Sequence, residues 1–372
     1  MTLEGIQFAL IAALGLLLIL VPLVLLHELG HFIMARLVGI RVLEFGLGFP
    51  PRAKVLGHDH ETEYTLNWLP IGGFVRLEGE EEESDDPRAF TRAALWKQLV
   101  VLIAGVTMNV IAAVLLFFVV AWAFNPVTAP TMTLSNYTTD QNTPARVAGL
   151  QDGETLISID GKPFAAPSLL LFGEDPVPTW RQQLLDYQGK SVQLVVADTS
   201  GKQRTVTVNL RVPTTDKPGA LGVSLGAVTT SPGDPVTAAG LAVDGTARAM
   251  GLILTTLGDL VRNIATNPTV APSGVQGPVG IASDVGHVAT QPNALMLLLL
   301  MAAIISANLA LVNILPIPAL DGGKFVIMIL KRVFRVKGVG AIEQWAYIAG
   351  FALLLGFIGW VTFFDIVRGG AP

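Results

Sequence analysis

The chain contains a long apolar stretch, IQFALIAALGLLLILVPLVLL, residues 6–26, which continues directly into HELGH, residues 27–31. About 20 apolar residues in a helix are enough to cross the hydrocarbon core of a bilayer. A cleaved secretory signal is disfavoured, because Glu4 stands where a basic segment belongs and no small-residue cleavage site follows. We therefore predict a retained transmembrane helix that ends in three ionisable side chains.

Three further stretches are apolar and long enough to span: Leu99 to Phe124, Ala294 to Ile314 and Gln344 to Phe364. Only 14% of the 372 residues are charged, against about 25% in an ordinary soluble domain. The net charge of -5 provides no basic surface of the kind that binds nucleic acid. We expect a polytopic α-helical membrane protein with four transmembrane helices, whose partners include the lipid bilayer and no nucleic acid.

Lys and Arg are concentrated in two short connecting loops. Eight lie in residues 32–98 and five in residues 324–337, whereas ten are spread over the long segment 125–293. Because short basic loops stay on the cytoplasmic side, we expect the long segment and both termini to lie outside an inner or plasma membrane. The acidic run from Glu80 to Asp86 is interpreted as a solvated loop.

The composition changes between the second and third spans. Short alternating stretches, such as Thr155 to Ile159 and Ser191 to Val196, are separated by turns at Asp160-Gly161 and Ser200-Gly201, a pattern typical of strands. This predicts a small soluble α+β domain. Thr237 to Ile264 then reads as an amphipathic helix, and its four charges indicate that it lies along the membrane surface.

These observations divide the chain into four parts. They are the first two spans with their cytoplasmic loop, the external domain, the juxtamembrane helix with a linker, and the last two spans: 1–124, 125–230, 231–290 and 291–372.

The ionisable residues at the end of the first span have metal-ligand spacing. His27 and His31 project from one helix face and can hold one Zn²⁺ through neutral imidazoles. Glu28 can reach the open position of the metal and take a proton from a bound water, whose pKa zinc lowers toward about 7. Charged groups in an apolar helix are costly and mark function. We predict one zinc ion per chain, with Glu28 as the catalytic base.

A catalytic zinc site usually has three protein ligands and an open position. Asp321 is the other internal ionisable candidate, since it follows the third span at the same depth as His27. Pro316 and Pro318 are expected to end that span, and Gly322-Gly323 to let the backbone turn sharply. The residues alone leave a second interpretation open, in which Asp321 only caps the next helix.

Together these motifs resemble the site-2 protease family of intramembrane zinc metalloproteases, in particular its bacterial members. The matching segments are His27 to His31, Ala104 to Asn109, Gly277 to Ile281 and Asn313 to Gly323. The resemblance implies that Asp321 is the third zinc ligand. It also implies regulated intramembrane proteolysis near the cytoplasmic side, within or near the membrane segment of single-pass proteins such as anti-sigma factors or signal-peptide remnants, and an upstream site-1 type protease as a possible partner.

Two cytoplasmic segments, Phe45 to Pro50 and Tyr64 to Leu77, resemble the family's re-entrant β-loop and β-hairpin. An exposed strand edge can hold a substrate in extended form through main-chain hydrogen bonds. An ordinary cytoplasmic loop is the alternative. Pro50 stands where the family usually has a glycine, and its missing N–H weakens the pairing role there.

Asn313 can hydrogen-bond the substrate backbone or the developing oxyanion, and helix packing is an equal alternative. Asn109 in the second span is interpreted as a packing contact. The candidate substrate-binding residues are Gly46, Gly48, Gly72, Gly73, Asn313, Pro316 and Pro318.

The external domain resembles a PDZ domain in Thr143 to Glu154 and Ile157 to Gly161. The strand of its carboxylate-binding loop, Gly219 to Val223, comes last, a circularly permuted order typical of this family. PDZ grooves bind extended chain ends by strand addition. Because the sequence shows no obvious basic carboxylate clamp, we favour a size filter over a peptide-binding role.

The sequence disfavours two functions of other classes, a membrane adaptor and a metal transporter. In a membrane adaptor the metal would be structural, but structural zinc sites are closed by four protein ligands. A metal transporter should carry paired ionisable residues along several spans, and the sequence does not.

Overall fold

The computed structural model describes residues 3–80, 84–124, 127–133, 142–164, 177–215, 219–230, 234–266, 275–334 and 340–369. The described helices are α1 (Leu3–Leu37), α2 (Leu95–Ala123), α3 (Pro144–Val147), α4 (Val177–Leu185), α5 (Pro235–Thr266), α6 (Pro278–Ala289), α7 (Ala294–Asn313), α8 (Asp321–Val333) and α9 (Gly340–Gly369). The described strands are β1 (Val42–His58), β2 (Glu63–Leu77), β3 (Val127–Thr133), β4 (Thr155–Ile159), β5 (Lys162–Pro163), β6 (Ser191–Ala197), β7 (Gln203–Asn209) and β8 (Ser224–Thr230). The chain divides into two compact units, 1–117 together with 246–372, and 118–245.

Four of the described helices are long and apolar enough to cross a membrane, namely α1, α2, α7 and α9. They coincide with the four apolar stretches predicted as spans. The first helix continues eleven residues past its predicted apolar stretch, so that α1 includes the whole HELGH sequence, as the helical spacing of His27 and His31 predicts. The predicted helix at Thr237 to Ile264 is confirmed as α5 and is not one of the four.

Small residues let the helices of the membrane unit approach one another closely. A side chain at Gly30 on α1 would place its Cβ 2.5 Å from the carbonyl oxygen of Ala104 on α2. Such close backbone approach is how apolar helices pack where no hydrophobic force drives them together. An apolar cluster joins α1, α2, α6 and α7 and includes Ile19, Leu23, Ala112, Val285, Met301 and Ala302.

The helix α6 was not predicted from the sequence. It begins at the Gly-Pro-Val-Gly motif, with Pro278 in its first turn, where a missing N–H costs nothing. Asp365 of α9 is buried and accepts a hydrogen bond of 2.9 Å from the Gly280 N–H, one of the donors that a helix leaves unpaired at its start. The Cβ of a side chain at 277 or 280 would lie 2.7 or 3.0 Å from this carboxylate. The glycines of the motif therefore let α6 dock against a buried carboxylate.

β1 and β2 form one folded antiparallel sheet with an irregular register. Phe45 lies opposite both Tyr64 and Val75, so the first half of β1 has partners in both halves of β2. The predicted separate hairpin at Tyr64 to Leu77 is thus wrong, because this segment is a single strand that pairs with β1. Buried Glu44 stabilises the sheet through ion pairs with Arg52 at 2.9 Å and Arg76 at 3.1 Å.

The second unit contains a sheet in the order β7-β6-β4-β3-β8, with β5 paired to β4 and every pairing antiparallel. The predicted strands at Thr155 to Ile159 and Ser191 to Val196 are confirmed as β4 and β6. Its core includes the fully buried side chains of Leu156, Ile159, Trp180 and Leu194. The unit is therefore an α+β module with its own core.

One predicted strand of this module is wrong. Residues 219–223 form bends, and the strand β8 begins only at Ser224. Gly219 and Gly222 have positive φ angles of 84° and 72°, a conformation that interrupts a regular strand.

Candidate active site

The two histidines of α1 face the same side and are buried. Their Nε2 atoms lie 3.1 Å apart, as the four-residue spacing within one helix allows. Asp321, the first residue of α8, places its Oδ2 atom 2.9 Å from Nε2 of His27 and 3.1 Å from Nε2 of His31. The structure thus brings the two histidines together with Asp321, which lies 290 positions after His31 in the chain.

The segment between α7 and α8 delivers Asp321 to this position. α7 ends at Asn313, ahead of the two prolines, as predicted. Gly322 and Gly323 are buried inside the first turn of α8, so the expectation that they form a sharp turn is wrong. A side chain at either position would overlap the carbonyl oxygens of Ile314 and Ile317. These glycines are needed because the connecting loop lies directly against the helix, and this contact places Asp321.

The second helix orients both imidazoles. The Nδ1 atom of His31 lies 2.8 Å from the backbone carbonyl oxygen of Val101 and donates its hydrogen to it. The Nδ1 atom of His27 lies 3.3 Å from the side-chain amide of Asn109. When the Nδ1 atoms carry the hydrogens, the Nε2 lone pairs are free to bind a metal.

Asn109 is a functional candidate that the sequence interpretation missed, since it was assigned to packing. It is buried, and within the described residues its Oδ1 atom has no hydrogen-bond partner. Rotation of the amide by 180° exchanges its oxygen and nitrogen, and Oδ1 then accepts the hydrogen of Nδ1 of His27. Ser306 of α7 holds the same turn by donating to the Asn109 backbone carbonyl at 2.8 Å.

Gly105 is a second residue whose role the sequence did not reveal. A Cβ atom there would lie 2.7 Å from Cε1 of His27 and would also overlap the imidazole of His31. Only glycine leaves room for both rings. The available signal was the spacing of Val101, Gly105 and Asn109 at every fourth position, which places them on one face of α2.

Glu28 lies next to the three donors. Its side chain is partly buried and interacts electrostatically with both histidines and with Asp321. A carboxylate is one of the side chains that transfer protons to and from water when they come within hydrogen-bond reach.

The donor set fits a zinc ion. Around a tetrahedral ion with bonds of about 2.0–2.1 Å, ligand atoms lie about 3.3 Å apart, close to the 2.9–3.1 Å separations observed. Two imidazoles and one carboxylate form a typical catalytic donor set, with a fourth position left for water. Burial raises the pKa of Asp321, but its hydrogen bonds with His27 and His31 outweigh this effect and lower the pKa below the ordinary value. The charged form of the carboxylate is therefore favoured.

The sequence predicts that the acidic run from Glu80 to Asp86 is a solvated loop, but some of its carboxylates form ion pairs with other segments. Of its described residues, Asp86 pairs with Arg41 at 3.2 Å. Glu80 pairs with Lys324 on the first turn of α8 at 2.8 Å. Burial lowers the pKa of Lys324, but its attraction to Glu80 outweighs this effect and raises the pKa above the ordinary value. The run therefore connects the end of β2 to the helix that begins with Asp321.

The candidate substrate-binding glycines are packed rather than open. A Cβ atom at Gly72 would lie 3.1 Å from Val24, and one at Gly73 would lie 2.6 Å from Leu25, both on α1 within one turn of His27. Gly48 has a positive φ of 79°, and the ring of Phe74 fills the space beside Gly46. These glycines set the position of the sheet against α1.

The predicted residues of the α7–α8 segment are spread along it. Asn313 is partly buried at the last position of α7, and Pro316 is exposed. Pro318 lies against α9, where a Cβ atom at Gly350 would be 3.2 Å from the proline ring. Pro318 thus contributes to helix packing.

A groove of about 250 Å³ lies in the second unit between α4 and the start of β8. It is lined by Arg181, Leu184, Gly219, Ala220, Leu221, Val223, Ser224 and Leu225. The sequence showed no obvious basic group for a peptide carboxylate, yet the fold places exposed Arg181 along this groove.

Apolar helices of spanning length around a buried His-His-Asp group define a membrane metalloenzyme. The profile of Peptidase family M50, the site-2 protease family, matches residues 15–357, and the chain belongs to this family. A protein of Clostridium acetobutylicum that carries the name of a zinc metalloprotease is 32% identical over 350 residues, covering 93% of this chain and 94% of its own. Similar proteins, also named as zinc metalloproteases, occur in Clostridium perfringens (32% identical, 93% and 95% covered) and a Nostoc species (31% identical, 91% of each). The chain is a zinc metalloprotease of the membrane.

Proposed function

We propose that this protein is an intramembrane endopeptidase that cleaves peptide bonds within or near the transmembrane segment of single-pass membrane proteins. The observation that carries the proposal is the convergence of His27, His31 and Asp321 within 3.1 Å of one another. Two of these donors lie inside a helix of spanning length. A hydrolytic centre at that depth favours a substrate that is itself in the bilayer.

His27, His31 and Asp321 hold the zinc ion in this proposal. When bound, zinc supplies a Lewis acid that makes water a nucleophile at neutral pH. Glu28 takes the proton of the attacking water and then delivers it to the nitrogen of the leaving amine. Val101 keeps the His31 imidazole in the tautomer that presents Nε2, and Asn109 does the same for His27 when its rotated amide places Oδ1 at Nδ1.

The folded sheet of β1 and β2 is proposed to hold the substrate in extended form. A peptide bond inside a helix is shielded by the helix's own hydrogen bonds, so the substrate must unwind before cleavage. The contacts of Gly72 and Gly73 with α1 support this role, since they bring β2 within one turn of His27. Main-chain hydrogen bonds along a strand would then replace those lost from the helix.

The proposed orientation in the membrane and the proposed order of cleavage are those expected from the sequence. We propose a cytoplasmic position for the active site, an external position for the second unit and both termini, and regulated intramembrane proteolysis after an upstream cleavage. For the external module we propose a PDZ domain, supported by the groove between α4 and β8. The three-donor group among the described residues speaks against the adaptor, whose structural metal would need four ligands.

The test is Glu28→Gln, a change that removes the base and keeps the size of the side chain. Purified in mild detergent, the variant should retain one zinc ion per chain and lose cleavage of a single-pass reporter protein by about 10²–10⁴-fold. Glu61→Gln is the matched control, since Glu61 is an exposed partner of Arg88 in the turn between β1 and β2. Cleavage by Glu28→Gln at the wild-type rate would refute the mechanism.

The same variant addresses the substrate class. Membranes of cells that carry Glu28→Gln should accumulate fragments that contain one transmembrane segment, and mass spectrometry of these fragments identifies the substrates. If only soluble proteins accumulate, the intramembrane assignment is wrong.

A further inference from the structure

One ion pair near the active site has no role in the proposed mechanism. Lys324 lies one turn after Asp321 on α8, and its ammonium is 2.8 Å from Oε1 of Glu80. Glu80 follows the end of β2 by three residues, and its side chain is only 19% exposed. The pair is thus held in a partly buried position between the sheet and the helix.

The position of Lys324 creates a problem for the site. Lys324 and Asp321 are three residues apart in α8, a spacing that makes them neighbours on the helix surface, and the positive charge of Lys324 also acts on Glu28. A cation that paired with Asp321 would compete with a metal for its oxygens, and one that paired with Glu28 would weaken it as a base. Lys324 therefore needs a carboxylate partner other than these two.

Apolar packing alone does not control this cation. Two apolar side chains of α8, Phe325 and Met328, pack against the cluster around Ala35, Ile40 and Leu77. Such contacts place the helix but do not direct a flexible four-carbon side chain. The carboxylate of Glu80 supplies the direction, because an ion pair in a partly desolvated position is stronger than one in water.

We propose that Glu80 is a positioning residue for the reaction, whose carboxylate holds the Lys324 ammonium away from Asp321 and Glu28. This inference rests on the proposed function, since it assumes that Asp321 binds zinc. It differs from a simple structural tie between β2 and α8. If the ion pair only connects β2 to α8, zinc affinity should fall equally when either residue is changed. If Glu80 restrains the cation, zinc affinity should fall only when Glu80 is changed and Lys324 remains.

Three variants separate the two cases: Glu80→Gln, Lys324→Gln and the double variant. Zinc affinity of the full-length protein in detergent is measured by competition with a chromogenic chelator, which needs no substrate. Glu80→Gln should weaken zinc binding by about tenfold, the lower range for loss of an outer-shell partner. Lys324→Gln should change it by less than about threefold, and the double variant should recover to within about threefold of wild type.

Asp85→Asn is the matched control, because Asp85 is a fully exposed carboxylate of the same run and pairs only with the surface guanidinium of Arg92 among the ion pairs described. Its zinc affinity should equal that of wild type. Equal losses in Glu80→Gln and Lys324→Gln, or no recovery in the double variant, would overturn the inference in favour of a structural tie. Wild-type affinity in Glu80→Gln would overturn it as well. A wild-type protein that binds no zinc would instead refute the proposed function.

Discussion

Replacement of Gly105 by alanine tests the site geometry most directly. The change adds one methyl group on the face of α2 that meets both imidazoles. The new Cβ would lie 2.7 Å from Cε1 of His27 and closer still to the His31 ring. Carbon atoms in contact are normally about 3.5–4.0 Å apart, so at least one ring must move by about 1 Å.

The change should not weaken the helix, but it should reduce the affinity for zinc. In a helix interior, alanine is favoured over glycine by about 1 kcal/mol, so the helix itself is not weakened. Ligand distances in a metal site tolerate only about 0.2 Å, and a shift of about 1 Å removes a ligand. We expect zinc affinity to fall by about 100-fold or more, which corresponds to about 2.7 kcal/mol.

Chelator competition and metal analysis of the purified variant measure this loss, and circular dichroism reports whether the helices remain. Gly359→Ala on α9 is the control, since no atom lies within 4 Å of the Cβ it would add. If Gly105→Ala binds zinc with wild-type affinity, the two imidazoles do not lie where the structure places them.

Three further predictions concern single contacts. Asn109→Leu should weaken zinc binding about 10–100-fold, because Nδ1 of His27 loses its partner. Asn109→Asp keeps an acceptor and should lose less zinc affinity, and equal losses of affinity in chelator competition would contradict this role. Asp365→Ala should reduce the free energy of unfolding by about 1–3 kcal/mol, because the partly buried Gly280 N–H loses its acceptor. Asp365→Asn should lower the thermal unfolding temperature in detergent by less. Leu194→Ala should destabilise the second unit by about 2–5 kcal/mol, so that limited proteolysis cuts this unit faster while the zinc content stays unchanged. A parallel loss of zinc would show that the two units do not fold independently.

The elements that the sequence predicted well are those with local signals. Four apolar stretches of spanning length, the alternating residues of β4 and β6, and the turn at Asp160-Gly161 are each encoded within a few residues. Helix and strand periods act over such short distances. The same holds for His27 and His31, since a spacing of four on one helix brings them together whatever the rest of the chain does.

Other elements escaped prediction because their cause lies in distant contacts. Gly322 and Gly323 were expected to form a turn, but they are helical, and their missing side chains make room for the carbonyl groups of the preceding loop. The sequence did not predict α6, because the Gly280 N–H in its first turn donates to Asp365, which lies 85 positions further along the chain. Glycine and a buried carboxylate have several possible uses, and only the neighbours decide which one applies.

The amino-acid sequence alone establishes that the chain is a membrane protein and that one helix presents two imidazoles and an adjacent carboxylate on a metal-binding motif. Packing between distant helices is what makes Asp321, 290 positions from His31, complete the group, and what lets α2 supply the space and the hydrogen bonds for both rings. The physical reason is the range of the forces involved. Helix geometry sets the positions of residues a turn apart, whereas a third donor and its supports are brought in by close packing between helices, which depends on the shapes of all of them at once.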